Sequence, residues 1–324
     1  MFVPPNLLPD YWKIDRRIQL ADGLDQHPRF DARIGWRSEN QDPETLQLAE
    51  RAPLDGRRPV LLFGASFVAC KYPEDRCWEE IFESESALSA EFQLFNYGVW
   101  GHGADQTWIL MQEVLDEWQH LNPVVVLGFC AESDLYRAAS PIYIWPKPRF
   151  ELGADGSLVR VDPPGWTATE FLQKEPVSFD SYAWRALSMN FGNPSRAELE
   201  ERFGQTEMRA EGARISRVIL TELHEDLERR GLEHFGVFFH SRLKFNRAAH
   251  VRGFFKQARR LLGPDGLPLV SLAPELERAV AEQARLSEEW FHASGLGQGH
   301  PTDAARVAWL PALERGLLGE VDLR

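Results

Sequence analysis

Val124-Val125-Val126-Leu127-Gly128-Phe129, residues 124–129, is the most strand-like run in the chain. Its β-branched residues come without polar alternation, and a strand with no polar face has to be covered on both sides. That is the position of a strand inside a parallel sheet sandwiched by helices. Just upstream, Asn122-Pro123 punctuates the chain after a segment, Asp105 to Trp118, in which Trp108, Ile109, Met111, Val114, Leu115 and Trp118 recur at helical spacing. Before that helix, Phe92-Gln93-Leu94-Phe95-Asn96 reads as a strand ending in a glycine-rich turn, and Pro59-Val60-Leu61-Leu62-Phe63 as a buried strand running into Gly64-Ala65-Ser66. Downstream, Phe235-Gly236-Val237-Phe238-Phe239 and Leu267-Pro268-Leu269-Val270-Ser271-Leu272 repeat the apolar signature. Helices are expected over Ala210–Arg229, Arg247–Leu262, Pro274–Glu289 and Thr302–Leu317. The β-α-β-α rhythm predicts a three-layer α/β/α sandwich, a parallel sheet with helices on both sides.

Two stretches break the rhythm. Residues 1–56, rich in Pro, Asp, Arg and Gln, read as an arm or small cap, with Phe30, Ile34 and Trp36 as its anchors on the main domain at 57–318. From about residue 136 to 210 the chain reads as an insertion near the site end of the sheet, where loops carry specificity. Within it, Arg149-Phe150-Glu151-Leu152 and Ser157-Leu158-Val159-Arg160-Val161 flank Gly153-Ala154-Asp155-Gly156, a hairpin signal.

The chain has 324 residues, 44% of them hydrophobic and 26% charged, which is enough to bury a sizeable core. Its net charge of −13 argues against nucleic acid or an anionic membrane as partner, since both attract clustered Lys and Arg. Cys70, Cys77 and Cys130 show no paired framework and no CxxC spacing, and their low, odd count suits a reducing compartment. Met1 to Asp25 lacks the apolar core of a signal peptide, and no apolar run approaches a membrane span. The expectation is a cytoplasmic protein. Nine histidines without HExxH spacing predict no metal site, and the absence of a P-loop or of GxGxxG after a strand predicts no nucleotide cofactor.

Open α/β sheets gather their chemistry at the carboxyl ends of the strands. Three segments fall there: Phe63-Gly64-Ala65-Ser66-Phe67, Asn96-Tyr97-Gly98-Val99-Trp100-Gly101-His102-Gly103-Ala104-Asp105-Gln106, and Gly128-Phe129-Cys130-Ala131-Glu132-Ser133-Asp134-Leu135. A fourth, Gln298-Gly299-His300-Pro301-Thr302, immediately precedes the last helix. A serine hydroxyl becomes a useful nucleophile when a neighbouring imidazole takes its proton, so Ser66 and His300 are the minimal pair.

In order and spacing these segments resemble the four blocks of the SGNH (GDSL-type) hydrolases: G-D-S, N-x-G-x-x-G, a strand closing on Asn, and a late His-Pro. Asn96 to Gln106 is similar to the N-x-G-V-x-G-x-G-x-D-Q form of many bacterial members, and the resemblance covers about Arg58 to Leu317. It implies a flavodoxin-like order of the central parallel sheet, and ester hydrolysis or acyl transfer on acylated carbohydrates or lipid-like esters, without a cofactor. Ser66 matches the family nucleophile and His300 its base. Gly101 matches the glycine whose N–H, with that of Ser66, faces the oxyanion.

Three positions depart from the pattern. Ala65 replaces the Asp of G-D-S, and Ser133 stands where the family has its oxyanion-hole Asn. Gln298 and Gly297 occupy the positions of the triad acid; Gln298 can orient the His300 ring but supplies no charge. Glu132, Asp134, Asp105 and Asp303 are alternative carboxylates, and some members of the family work with a Ser–His dyad. Trp100, His102 and Glu132 are expected to meet substrate, Trp100 by stacking on a sugar. The leading expectation is a serine ester hydrolase acting on a small ester. The alternatives are a silent binding protein of the same fold and a carbohydrate O-acyltransferase. Sequence leaves the oligomeric state open.

Overall fold

The computed structural model describes residues 17–18, 20–21, 23, 28–69, 75–130, 134–141, 145–163, 165, 167–174, 205–239, 266–272, 274–275, 291–292 and 300–320. The central sheet follows from the apolar runs. β3 (Arg58–Gly64), β4 (Phe92–Gly98), β5 (Val124–Cys130), β8 (His234–Phe239) and β9 (Leu269–Val270) form a five-stranded sheet in the order β4-β3-β5-β8-β9. Every neighbouring pair is parallel. This is the flavodoxin-like order, and it places the reversal of winding at β3 and β5, where such folds open a crevice for ligands.

Alternation along the strands explains the three layers. Phe63, Phe95 and Tyr97 share one face: Phe63 stacks on Tyr97 at 5.1 Å, and Phe95 meets Trp118 at 4.6 Å between ring centroids. Trp118 closes α2 (Ala104–Trp118), which packs in turn on α4 (Gln205–Arg229). Leu62, Val126, Val237 and Phe239 point the other way, against Trp78, Trp309 and Leu313. Those residues come from α1 (Trp78–Glu85) and α5 (Asp303–Leu317). A sheet covered on both faces takes apolar residues in both alternations, unbroken through Val124–Leu127 of β5 and interrupted in β4 by Gln93 and Asn96.

The arm contributes to this core. Its only described strands, β1 (Phe30–Asp31) and β2 (Gly35–Trp36), pair antiparallel, and Ile34 and Trp36 are completely buried. Gln47 reaches α2, where its amide donates to the Val114 carbonyl at 2.9 Å and its oxygen accepts from Tyr97 Oη and Trp118 Nε1. The hairpin is β6 (Arg149–Leu152) with β7 (Leu158–Val161), antiparallel across the turn at Gly153–Gly156, and the short helix α3 (Ala168–Lys174) follows it.

Several expectations change. The 267–272 run yields a strand of two residues, paired with Gly236 and Val237; Pro268 has no N–H to extend the ladder and only accepts from Gly236. The predicted helix at 247–262 lies outside the described residues, as does nearly all of the one at 274–289. Cys77 is disulfide-bonded while Cys130 is free and buried, which corrects the reading of unpaired cysteines. A disulfide belongs with an oxidising environment, so the cysteines no longer favour the cytoplasm. Among the described residues no helix is long and apolar enough to cross a membrane.

Candidate active site

The Ser66 turn is built on a row of glycines. Gly98, Gly64 and Gly128 stand side by side in register at the carboxyl ends of β4, β3 and β5. A methyl on any of them would lie 2.5–2.7 Å from a Val68 methyl carbon. The missing side chains leave a notch, and Val68 fills it. The chain after β3 therefore folds straight back over three strand ends, closed by Val68 and Ala69 N–H bonds to the Ala65 carbonyl at 3.0 and 2.9 Å.

Asn96 pins this turn from the next strand. Its amide donates to the Val68 carbonyl at 3.0 Å and to Glu79 Oε2 at 3.1 Å, while its oxygen accepts from Gly98 N–H at 2.9 Å. The Glu79 carboxyl is raised above the ordinary carboxylate range, chiefly by burial. Trp78 Nε1 adds a bond to the Phe67 carbonyl at 3.1 Å. Ser66 itself sits at the top of the turn, 8% exposed.

Gly101 is held by the arm. With φ at +84° it occupies the left-handed region that a side chain would strain. The carbonyl of Trp100 accepts from the Trp36 indole at 2.8 Å. That carbonyl and the Gly101 N–H belong to one planar trans peptide, so anchoring the oxygen on Trp36 turns the N–H the opposite way. His102 returns the contact, its Nε2 donating to the Trp36 carbonyl at 2.9 Å. His102 is fully enclosed and its imidazole is pushed down to about 3, first by burial and then by Lys147 and Arg137 nearby. In this structure it is an internal tie between arm and loop, and offers no surface to a substrate.

Beneath the loop lies an ion pair that sequence reading missed. Lys147 and Asp105, both without solvent exposure, are bonded side chain to side chain. Burial lowers the Lys147 ammonium and raises the Asp105 carboxyl, each against the pull of the other. Gln106 donates to the Ile34 carbonyl at 2.7 Å. The Asp105-Gln106 signature thus fastens the arm and the 145–148 segment to α2. No spacing in the sequence marked Lys147 as its partner.

His300 arrives from the far end of the chain. Its ring lies 5.6 Å from Phe67 and 6.2 Å from Trp100, centroid to centroid. These are the residues directly after Ser66 and directly before Gly101. The strip carrying His300 is fixed by a bridge between Phe291 and Pro301 and by the His292 N–H on the His300 carbonyl at 3.0 Å. Behind it, His292 Nε2 bonds Asp75 at 2.8 Å, and Arg306 Nη1 lies 3.3 Å from the same carboxyl. Phe67 continues through Phe239 to Trp309, so the imidazole rests on an aromatic floor.

The structure accordingly brings Ser66, Trp100, Gly101 and His300 to one place. Glu132, Ser133 and Gln298 lie outside the described residues. Next to Ser133 in sequence, Asp134 accepts from Cys130 N–H at 2.7 Å and from Arg137 at 3.0 Å. Of the alternative carboxylates, Asp134 is thus engaged there, Asp105 with Lys147, and Asp303 with Arg76 at 2.8 and 3.2 Å.

Compared with known proteins, the chain matches no family model and no curated protein. Among solved structures it is similar to a lipase/acylhydrolase from Enterococcus faecalis, at 14% identity and a TM-score of 0.39, over 82% of this chain and 98% of that one. The activity in that description is the neighbour's own.

Proposed function

We propose that this chain is a serine ester hydrolase of the SGNH kind, with Ser66 as nucleophile and His300 as base. The observation that carries the proposal is the convergence of distant segments. The His300 ring, about 200 residues or more away in sequence, packs against both Phe67 and Trp100, at the carboxyl ends of β3 and β4. Ser66 attacks the ester carbonyl and passes its proton to His300, which hands it to the departing alcohol. The Ser66 and Gly101 N–H groups receive the developing oxyanion, and Ser133 is proposed to add a hydroxyl donor. Water then releases the acyl group by the same steps in reverse roles.

Asp105, Asp134 and Asp303 each hold another partner, and Gln298 is proposed to orient the imidazole. A second reading, a pocket that binds an ester without cleaving it, is motivated by Ala65, Ser133 and Gln298 at positions where the resembled family has Asp, Asn and Asp. The half-buried Trp100 beside His300 supports an acylated carbohydrate or a lipid-like ester as the ligand. Turnover of short p-nitrophenyl esters separates the readings. Hydrolysis by the wild type that falls to background in Ser66→Ala and His300→Ala supports the enzyme. Ligand-induced thermal stabilisation with no turnover supports the binding protein. Equal hydrolysis by wild type and Ser66→Ala would overturn the hydrolase.

A further inference from the structure

At the other end of the sheet, where the strands begin, three donor groups meet. His224 and Glu228 stand one turn apart on α4, hence on the same face of the helix. His234 is the first residue of β8, pairing with Val125 at the start of β5. The three ligand atoms of these residues all lie within 4.8 Å of one another. His224 Nδ1 is 2.7 Å from His234 Nε2, and Glu228 Oε1 is 4.0 Å from that same nitrogen. We propose that His224, Glu228 and His234 bind a divalent transition-metal ion of the zinc class.

The tautomer of His234 is the first argument. Its Nδ1 lies 2.8 Å from the Leu232 carbonyl, an oxygen that only accepts, so Nδ1 carries the proton. The lone pair is then on Nε2, aimed at His224. This is how metal-binding histidines are held, with the second ring nitrogen fixed on a carbonyl or carboxylate. The second argument is the adjustment required. Two imidazole nitrogens on a tetrahedral zinc, at bonds of about 2.0–2.1 Å, stand about 3.3 Å apart. From 2.7 Å the rings have to part by roughly 0.6 Å, with His224 taking the tautomer protonated on Nε2. His234 is buried and stays; His224 is half-buried on the helix and Glu228 is exposed, so these two can move.

Two imidazoles and one carboxylate are a donor set that suits zinc better than calcium or magnesium, which prefer oxygen. A fourth ligand can come from solvent, because Glu228 and His234 line an open cavity of about 420 Å³ together with Leu232, Phe235 and Pro268. The ion would tie the last turn of α4 to the first residue of β8 across a connection that turns at Gly231, φ +67°. It lies at the end of the sheet opposite Ser66, so its role is structural and independent of ester cleavage.

The test uses the untagged full chain, dialysed against zinc and assayed for bound metal, with apparent affinity read by competition with a chromophoric chelator. One equivalent is expected for wild type and for His120→Ala, an exposed histidine elsewhere. His224→Ala and Glu228→Gln should each weaken binding at least about tenfold, as loss of a directly bonded group exceeds loss of a supporting one. Zinc should also raise the unfolding midpoint of wild type, reversibly with EDTA, and leave that of His224→Ala unmoved. Because Glu228 is exposed and His224 only half-buried, their metal-free circular dichroism should match wild type. Wild type without bound zinc overturns the proposal, and so does a stoichiometry and affinity unchanged in His224→Ala.

Discussion

Replacing Gly64 with alanine tests the construction of the Ser66 turn. The new methyl would stand 2.3 Å from the Gly128 carbonyl oxygen, 2.6 Å from Val68 Cγ2 and 3.2 Å from the Gly128 carbonyl carbon. Ordinary contact between such atoms is about 3.5 Å, so the neighbours must retreat by about 1 Å. Two of the three are backbone atoms of β5, whose register with β3 runs from Val60–Val124 to Gly64–Gly128. They cannot rotate away, so β3 and β5 must separate or Val68 must leave its notch. Overpacking a core costs about 1–3 kcal/mol, and a clash against sheet backbone belongs at the top of that range. Urea unfolding followed by tryptophan fluorescence should therefore show Gly64→Ala less stable than wild type by about 3 kcal/mol. Gly165→Ala, whose methyl would meet nothing within 4 Å, is the control and should stay within about 0.5 kcal/mol. Ser66 lies two residues beyond Gly64, so ester turnover should fall as well. A Gly64→Ala protein as stable and as active as the Gly165→Ala control would refute the notch as the device that places Ser66.

Three other predictions concern the arm and the buried charges. Trp36→Phe removes the indole that holds the Trp100 carbonyl; kcat for p-nitrophenyl esters should drop about tenfold or more with KM little changed, because the Gly101 N–H loses its aim, and a pure KM effect would count against this. Lys147→Met strands Asp105 without a partner in a fully buried site and should cost about 3–5 kcal/mol, whereas Lys147→Met with Asp105→Leu should regain most of it; calorimetry that finds the double variant worse than the single one contradicts this account. His102 binds its proton in the folded protein only near pH 3 but at about 6.5 when unfolded, so the unfolded chain takes up more protons as pH falls through that window. Stability should decline toward acid with a contribution from this residue of up to about 1.4 kcal/mol per pH unit, and His102→Gln should remove that part of the slope; parallel curves for the two proteins would refute it.

The strands were legible because a doubly covered strand carries apolar residues on both faces, and the β-branched run of β5 is too short and too bounded by Pro123 for a helix. Trp36 and Ile34 could be read as anchors because large apolar residues in a polar stretch have nowhere else to go. α1 was not seen. It is eight residues long, buries only Trp78, Ile81 and Phe82, and is preceded by Cys77 rather than a usual capping residue. His102, Asp105 and Lys147 were misjudged or missed for one reason. Sequence shows charge and polarity but not burial, and all three side chains are spent inside the protein, holding the loop that carries Gly101. The sequence also singled out Ser66, Gly101 and His300, and the segments that carry them converge. Their support was not legible, since Val68 in a glycine notch and Trp36 on the Trp100 carbonyl are contacts between distant segments with no local signature.

The measurement closest to the central proposal is covalent labelling with a serine-reactive fluorophosphonate, read by intact mass and peptide mapping. The account predicts one adduct per chain on the peptide containing Ser66, none with Ser66→Ala, and markedly slower labelling with His300→Ala. An unlabelled wild type, an adduct on any other residue, or equal labelling of the Ser66→Ala protein would contradict it.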